Sequence, residues 1–114
     1  MLSKDLIKSL LVFRKNREWE QFHTARNLAA SISIEAGELL ELFQWARDGE
    51  IDGIVQARRA DIEREIADLA ILISYFCNDL QIDLEACVGS KLIENEQKYP
   101  VDKSKGRATK YDLL

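Results

Sequence analysis

Apolar residues recur along most of the chain at the three- and four-residue spacing of amphipathic helices. The stretches with this spacing, which are the predicted helices, cover residues 3–17, 26–47, 60–80 and 83–99. Ser3 and Asp83 stand at the start of two of them, where a side-chain oxygen caps free backbone N–H groups. The pattern therefore predicts an all-α fold of the four-helix bundle type.

The segments outside these helices are polar or short. Residues 19–24 form an aromatic-rich connection, and residues 48–59, with two glycines, predict a loop that contains at most one helical turn. Residues 101–114 are polar and carry four of the basic side chains. We therefore expect one helical domain over residues 1–100, followed by a polar, basic C-terminal tail over residues 101–114.

Composition excludes several classes of protein. Five glycines and one proline among 114 residues are too few for the many turns of a sheet protein of this size. Sixteen basic against twenty acidic residues leave a net charge of −4, so no basic face for nucleic acid is expected. No apolar run approaches the roughly 18 residues of a membrane span, and the first residues do not resemble a signal peptide. We expect a cytoplasmic protein that binds neither nucleic acid nor a membrane.

Few side chains offer nucleophilic or metal-binding chemistry apart from the acids. Cys77 and Cys87 lie in apolar stretches without a CxxC pair, which favours reduced thiols over a disulfide or a zinc site. The chain has one histidine and no Ser/His/Asp pattern. If this protein is an enzyme, its carboxylates must carry the chemistry.

Two acids lie inside the apolar arcs of the second and third predicted helices. On a helical wheel of 100° per residue, Glu35 falls among the apolar residues, Glu38 at their edge and Glu41 away from them. The third helix repeats this pattern with Glu65 inside its arc and Asp68 at the edge. Each helix therefore presents one embedded acid and one border acid three residues later.

Such embedded acids need compensation, because burial of an isolated carboxylate costs several kcal/mol. Three explanations are open. Each acid pairs with a buried arginine or lysine, the helical wheels are slightly out of phase, or a divalent cation lies between the two helices. Mg²⁺, with Mn²⁺ as a substitute, prefers carboxylate and water ligands. A di-iron centre is disfavoured, since it needs Glu-x-x-His pairs and the chain has a single histidine.

The two acidic motifs are EAGE at residues 35–38 and EIAD at residues 65–68, separated by 26 residues. This pair resembles the ExxE…ExxD signature of the all-α nucleotide pyrophosphohydrolases, the MazG-like enzymes. The segments around both tryptophans and the KxxxN…YP ending of the fourth helix look like the dCTP pyrophosphatase branch of that family. The resemblance covers residues 5–107.

The resemblance implies a helical catalytic domain that works as a homodimer or a dimer of dimers. Members of the family use Mg²⁺ to cleave a nucleoside triphosphate to the monophosphate and pyrophosphate. One of the four motif carboxylates would accept the proton of the attacking water. The candidate for this role is Glu38, at the edge of its apolar arc, with Glu35 as the second catalytic carboxylate. The substrate would be dCTP or a modified dCTP. The implied metal ligands are Glu35, Glu38, Glu65 and Asp68.

The same resemblance assigns residues to the nucleotide. Trp19 and Trp45 would sandwich the base, although both also fit as core residues. His23 or Asn27 would read the edge of the base. The residues implied for binding the phosphates are Lys91, Asn95 and Tyr99. Without the resemblance, their helix face would be interpreted as solvent-exposed surface.

Two positions depart from the pyrimidine-specific members of the family. Leu10 stands where those enzymes usually carry a histidine, and Leu72 stands where they usually carry a tyrosine. The departures leave the preferred base open. The alternatives are a related pyrophosphohydrolase for another nucleotide, such as phosphoribosyl-ATP, and a non-catalytic helical dimerisation module.

The third helix also bears on assembly. Ile71 and Tyr75 lie opposite much of its core arc, so the helix is apolar almost all round. A four-helix monomer of this length does not bury such a helix completely. We therefore expect a subunit interface there, and a homodimer or homotetramer.

Overall fold

The computed structural model describes residues 2–114, which are helical with no strand. The prediction of an all-α fold is confirmed. No helix in this part of the chain is long and apolar enough to cross a membrane. The α-helices are α1 (Lys4–Asn16), α2 (Ala25–Glu41), α3 (Ile51–Ala57), α4 (Arg59–Leu80), α5 (Leu84–Lys98) and α6 (Val101–Ser104). Shorter 3₁₀ helices cover Trp19–Phe22, Asp48–Glu50 and Tyr111–Leu113.

Side-chain caps fix where three of the helices begin. Ser3 Oγ accepts a hydrogen bond from the Leu6 N–H at 3.1 Å, as expected for the start of α1. Asp83 Oδ1 accepts from the Ala86 N–H at 3.0 Å and starts α5, also as expected. Thr24 caps α2 in the same way. Each cap satisfies one of the N–H groups that the first turn of a helix leaves free.

The predicted second helix was too long. It ends at Glu41, not at residue 47. From Leu42 onward the backbone N–H groups donate to the carbonyl three residues earlier, as in a 3₁₀ helix, and not to the one four residues earlier. The Phe43 N–H, for example, donates to the Leu40 carbonyl at 2.9 Å. The apolar spacing continues through this turn, which is why periodicity alone did not reveal the end of the helix.

The predicted loop over residues 48–59 was also wrong, because α3 occupies most of it. Glu50 Oε1 accepts a hydrogen bond from the Arg47 N–H at 3.0 Å just before this helix. Gly53 lies inside α3, at a cost of about 1 kcal/mol relative to alanine. The tail beyond Pro100 likewise contains helical turns, α6 among them.

The chain divides into two compact units, the first ending at Leu80 and the second beginning at Gln81. In the first unit α4 packs mainly against α2 and also contacts α1 and α3. Leu28 of α2, with 2% of its surface exposed, is the most buried apolar residue there. The assignment of residues 1–100 to one domain stays a prediction.

Tyr75 does not lie at an outer surface of the first unit, where we expected a subunit interface. It is 4% exposed, and its hydroxyl donates to the Leu10 carbonyl of α1 at 3.0 Å. The wheel of one helix shows which side is apolar, but not which neighbour covers it. In this unit α1 covers the side of α4 that carries Tyr75.

We expect Leu28→Ala to lower the free energy of unfolding by about 2–5 kcal/mol, since it removes a fully enclosed side chain and leaves a cavity. Urea denaturation measures this change. Leu113→Ala makes the same substitution at a position that is 77% exposed and should cost less than about 0.5 kcal/mol. Equal losses in the two variants would contradict the described core.

Candidate active site

The packing of α2 against α4 brings the embedded acids together. One carboxylate oxygen from each of Glu35, Glu38 and Glu65 lies within 4.8 Å of the others. Glu35 and Glu65 are half-buried, as their wheel positions predict. Asp68 lies one turn after Glu65 on α4 and is exposed. The two helices thus direct their acids into one shared space.

The cluster holds carboxylate oxygens without partners. Glu35 Oε2 and Glu65 Oε2 are buried and accept no hydrogen bond. Within residues 2–114 no arginine or lysine forms an ion pair with either residue. The first alternative from the sequence, a buried basic partner for each acid, is therefore wrong.

The crowding of these acids changes their proton affinity. Burial, followed by hydrogen bonding to Glu38 and Glu65 and by the negative charges of Glu38 and Asp68, raises the pKa of Glu35 to about 7. Burial is also the main cause that raises the pKa of Glu65, with Glu38 and Asp68 adding to it. Each group favours its neutral form because water is removed and like charges approach.

A divalent cation fits these residues. The cluster offers only oxygen donors, and two of its oxygens are buried without a partner. Mg²⁺ and Mn²⁺ bind such hard oxygen ligands. A cation here would occupy those oxygens and offset the repulsion between the carboxylates.

A pocket of about 350 Å³ opens beside the cluster in the first unit. Glu35, Asp68 and Ser31 line it with oxygen atoms. Its other wall is aromatic and aliphatic, except for the imidazole of His23. The members of this wall are Phe13, Trp19, His23, Ile71, Leu72 and Tyr75. An acidic end and a flat, largely apolar end therefore share one cavity.

The structure places two of the predicted base-binding residues in this pocket and leaves two outside its wall. Trp19 packs edge-on against Phe13 with ring centroids 5.6 Å apart, and His23 lies near Tyr75 at 5.4 Å. Asn27 is occupied elsewhere, since its Nδ2 donates to a backbone carbonyl at 2.9 Å. Trp45 is 87% exposed and follows the end of α2.

The residues implied for the phosphates lie in the second unit. Lys91 forms an ion pair with Glu94 at 3.2 Å, and Asn95 is half-buried on α5. The ring of Tyr99 meets Tyr111 edge-on, with centroids 6.0 Å apart. Part of the tail thus contacts the end of α5. A role for these residues in substrate binding stays a prediction.

Sequence analysis missed one charged pair behind the pocket. Arg14 is 3% exposed, and its two terminal nitrogens donate to the carboxylate of Asp79 at 2.9 and 2.7 Å. This pair holds the pKa of Asp79 below its usual range, chiefly through hydrogen bonding. The sequence does contain a signal for this pair, because a helical wheel of α1 places Arg14 inside the apolar arc of that helix.

The fold and this cluster define a class of protein: all-helical, with paired acidic motifs on two packed helices that line a pocket. Within that class the chain belongs to the MazG-like family, whose family model matches residues 30–114. The resemblance seen in the sequence is thereby confirmed.

Individual relatives agree with this assignment. The chain is 41% identical to dCTP pyrophosphatase 1 of Rattus norvegicus and 38% identical to that of Homo sapiens, each over 104 residues and 90% of this chain. It spans 61% of the length of these curated relatives. A crystal structure of a pyrophosphatase from Archaeoglobus fulgidus is 42% identical, with a TM-score of 0.83 over 85% of this chain and 91% of that chain.

The raised pKa of Glu35 predicts how stability depends on pH in the metal-free protein. Its folded pKa of about 7 exceeds the ordinary value of 4.5, so the folded state binds the proton more tightly. This contribution to stability is present below pH 4.5 and is lost as the pH rises through 7. Melting curves in EDTA between pH 4.5 and 8 should show the loss.

Glu35→Gln is the control for this measurement, because it keeps the shape of the side chain and removes its titration. The difference in melting temperature between the two proteins isolates Glu35 from His23, whose lowered pKa acts in the opposite direction. Identical pH profiles for both proteins would refute the prediction. Millimolar Mg²⁺ should raise the melting temperature of the parent protein above pH 7 by linkage.

Proposed function

We propose that this chain is a Mg²⁺-dependent nucleoside triphosphate pyrophosphohydrolase. It converts a nucleoside or deoxynucleoside triphosphate, dCTP or a modified dCTP in particular, to the monophosphate and pyrophosphate. The observation that carries the proposal is the acidic cluster of Glu35, Glu38 and Glu65 beside a pocket with an aromatic wall, which Glu35 and Asp68 line at its acidic end. The acidic cluster suits a metal ion with bound phosphates, and the aromatic wall beside it suits a flat base.

The residues that would hold the metal ion are Glu35, Glu38, Glu65 and Asp68. When bound, Mg²⁺ neutralises phosphate oxygens and makes a water molecule more acidic, as in other phosphoryl-transfer sites. Glu38 accepts the proton of the attacking water. Glu35 and Glu65 project from two different helices, α2 and α4, and would contribute their carboxylate oxygens to that metal ion.

The aromatic wall suits a nucleobase. Trp19 lies in it and offers a stacking surface, while His23 offers ring nitrogens to the edge of the base. The preference for cytosine rests on the names of the curated relatives, which are dCTP pyrophosphatases. Leu72, the departure from the pyrimidine-specific pattern, lines the same pocket and adds apolar surface.

The carboxylate assignment predicts a sharp difference between two glutamates of α2. Glu38→Gln should reduce turnover at least about 100-fold, the usual size of a general-base contribution. Glu41→Gln, at the exposed end of the helix, should leave turnover nearly unchanged. Pyrophosphate release from a nucleotide panel, with and without Mg²⁺, measures both.

The same panel tests the proposal itself. Release from dCTP that depends on Mg²⁺ supports it, and preference for another nucleotide would correct the substrate. If every nucleotide is inert at high enzyme concentration, the non-catalytic dimerisation module becomes the better interpretation. Equal losses in the Glu38 and Glu41 variants would show that the metal lies on a different face of α2.

We further propose that the protein is a homodimer or a dimer of dimers. Large apolar side chains are exposed on the helices of a single chain, among them Ile34 at 62%, Leu40 at 65% and Leu92 at 58%. Exposed apolar surface of this kind is typical of subunit interfaces.

Light scattering at micromolar concentration should therefore report at least twice the 13.1 kDa mass of the chain. The mass should persist at high salt, since apolar burial holds the subunits together and charge screening does not weaken it. A monomer of 13 kDa would refute the prediction.

A further inference from the structure

His23 has a buried cation against one edge of its ring. The guanidinium of Arg14 is fixed by the fork to Asp79, and it stacks 4.6 Å from the centre of the Tyr75 ring. From that position its Nη1 lies 3.4 Å from His23 Nδ1. Arg14 does not line the pocket, whereas His23 and Tyr75 do.

This contact determines where the imidazole carries its proton. A guanidinium has only N–H donors and no acceptor, so Nδ1 of His23 must be the acceptor. A neutral imidazole whose Nδ1 accepts carries its proton on Nε2. Burial, followed by the positive charge of Arg14, lowers the pKa of His23, which favours this neutral form.

The other ring nitrogen remains available. Within residues 2–114 no side chain or backbone group forms a hydrogen bond with Nε2 of His23. The neighbouring hydroxyl of Tyr75 already donates to the Leu10 carbonyl. Glu35 and Asp68 offer only acceptor oxygens when ionised. His23 can therefore supply an N–H donor to this pocket, beside the indole N–H of Trp19 and the hydroxyl of Ser31. Of these three donors it is the one whose ring contacts the buried Arg14.

We propose that the Arg14–Asp79 pair is a positioning device that holds His23 as the Nε2–H tautomer, so that the pocket selects a base whose ring nitrogen on the pairing edge is an acceptor. The inference rests on the proposed function and deepens it, because it names the feature of the base that is read. Arg14 and Asp79 act through His23 and do not contact the base.

This tautomer distinguishes pyrimidines by their chemistry. The ring nitrogen N3 of cytosine is an acceptor, whereas N3 of uracil and thymine carries a hydrogen. An Nε2–H donor pairs with the first and meets the second donor to donor, which leaves two polar groups unsatisfied. Sites that hydrogen-bond one substrate reject an analogue with mismatched polarity more strongly than apolar pockets do.

The tautomer can be measured directly because His23 is the sole histidine of the chain. Two-bond ¹H–¹⁵N correlation spectra of the ligand-free, ¹⁵N-histidine-labelled protein at pH 7 report the protonation of each ring nitrogen. We expect a neutral ring with unprotonated Nδ1 and protonated Nε2. A ring protonated on Nδ1 would overturn the inference.

The second experiment removes the device without leaving a buried charge. Arg14→Met combined with Asp79→Leu deletes both partners, which is milder than deleting one. In this variant the ring resonances should shift toward exchange between the two tautomers. The ratio of kcat/KM for dCTP over dTTP should fall by about tenfold, equivalent to one hydrogen bond of about 1.4 kcal/mol.

A matched control exists on α4. Arg59→Met combined with Glu63→Leu removes an exposed ion pair of 3.2 Å and should change neither the tautomer nor the ratio. Equal losses of kcat/KM for both nucleotides in the Arg14/Asp79 variant would show a merely structural role and overturn the inference. If no nucleotide is turned over, the proposed function fails, while the tautomer of the ligand-free protein still decides whether the device exists.

Discussion

The site depends on carboxylates held where water cannot fully reach them. Glu35 and Glu65 each bury an oxygen without a hydrogen-bond partner, and the cluster also includes Glu38. Packing of α2 against α4 enforces this arrangement, although like charges resist it. Burial and the close approach of the other acids raise the pKa of Glu35 to about 7, so a proton can offset part of the negative charge of the cluster.

The first unit contains a second buried charge that is compensated differently. Arg14 has its carboxylate partner Asp79, two short hydrogen bonds and the face of Tyr75. Such a pair is complete within the chain and needs no ligand. The acidic cluster lacks an internal partner of this kind. This contrast separates a structural charge from one that is left available for binding, although α4 contributes acids to both.

Helical periodicity predicted most of this architecture, including the phase that places Glu35 and Glu65 in one space. Periodicity did not predict features that depend on backbone hydrogen bonding or on which helix packs against which. The end of α2 at Glu41 results from a change in hydrogen-bond spacing that apolar periodicity does not record. The side of α4 that carries Tyr75 is covered by α1, which a single wheel cannot show. The same wheel argument, applied to α1, indicates that Arg14 is buried as well.

The acidic cluster lies at one end of the pocket, whereas the Arg14–Asp79 pair contacts His23 from outside it. Under the proposed function the two centres divide the recognition of a nucleotide between them. The acidic end suits a metal cation with bound phosphates, which are the same in every nucleotide, so it does not distinguish one base from another. The opposite wall is mostly aromatic and aliphatic, with Leu72 in it, and gives stacking area that every base can use. Discrimination between bases must then come from the few polar atoms in that wall. His23 is the side chain of that wall whose ring nitrogen contacts a buried cation outside the pocket. Under the proposed function, base selection is therefore tied to the packing of α1 against α4, whereas metal binding is tied to the packing of α2 against α4.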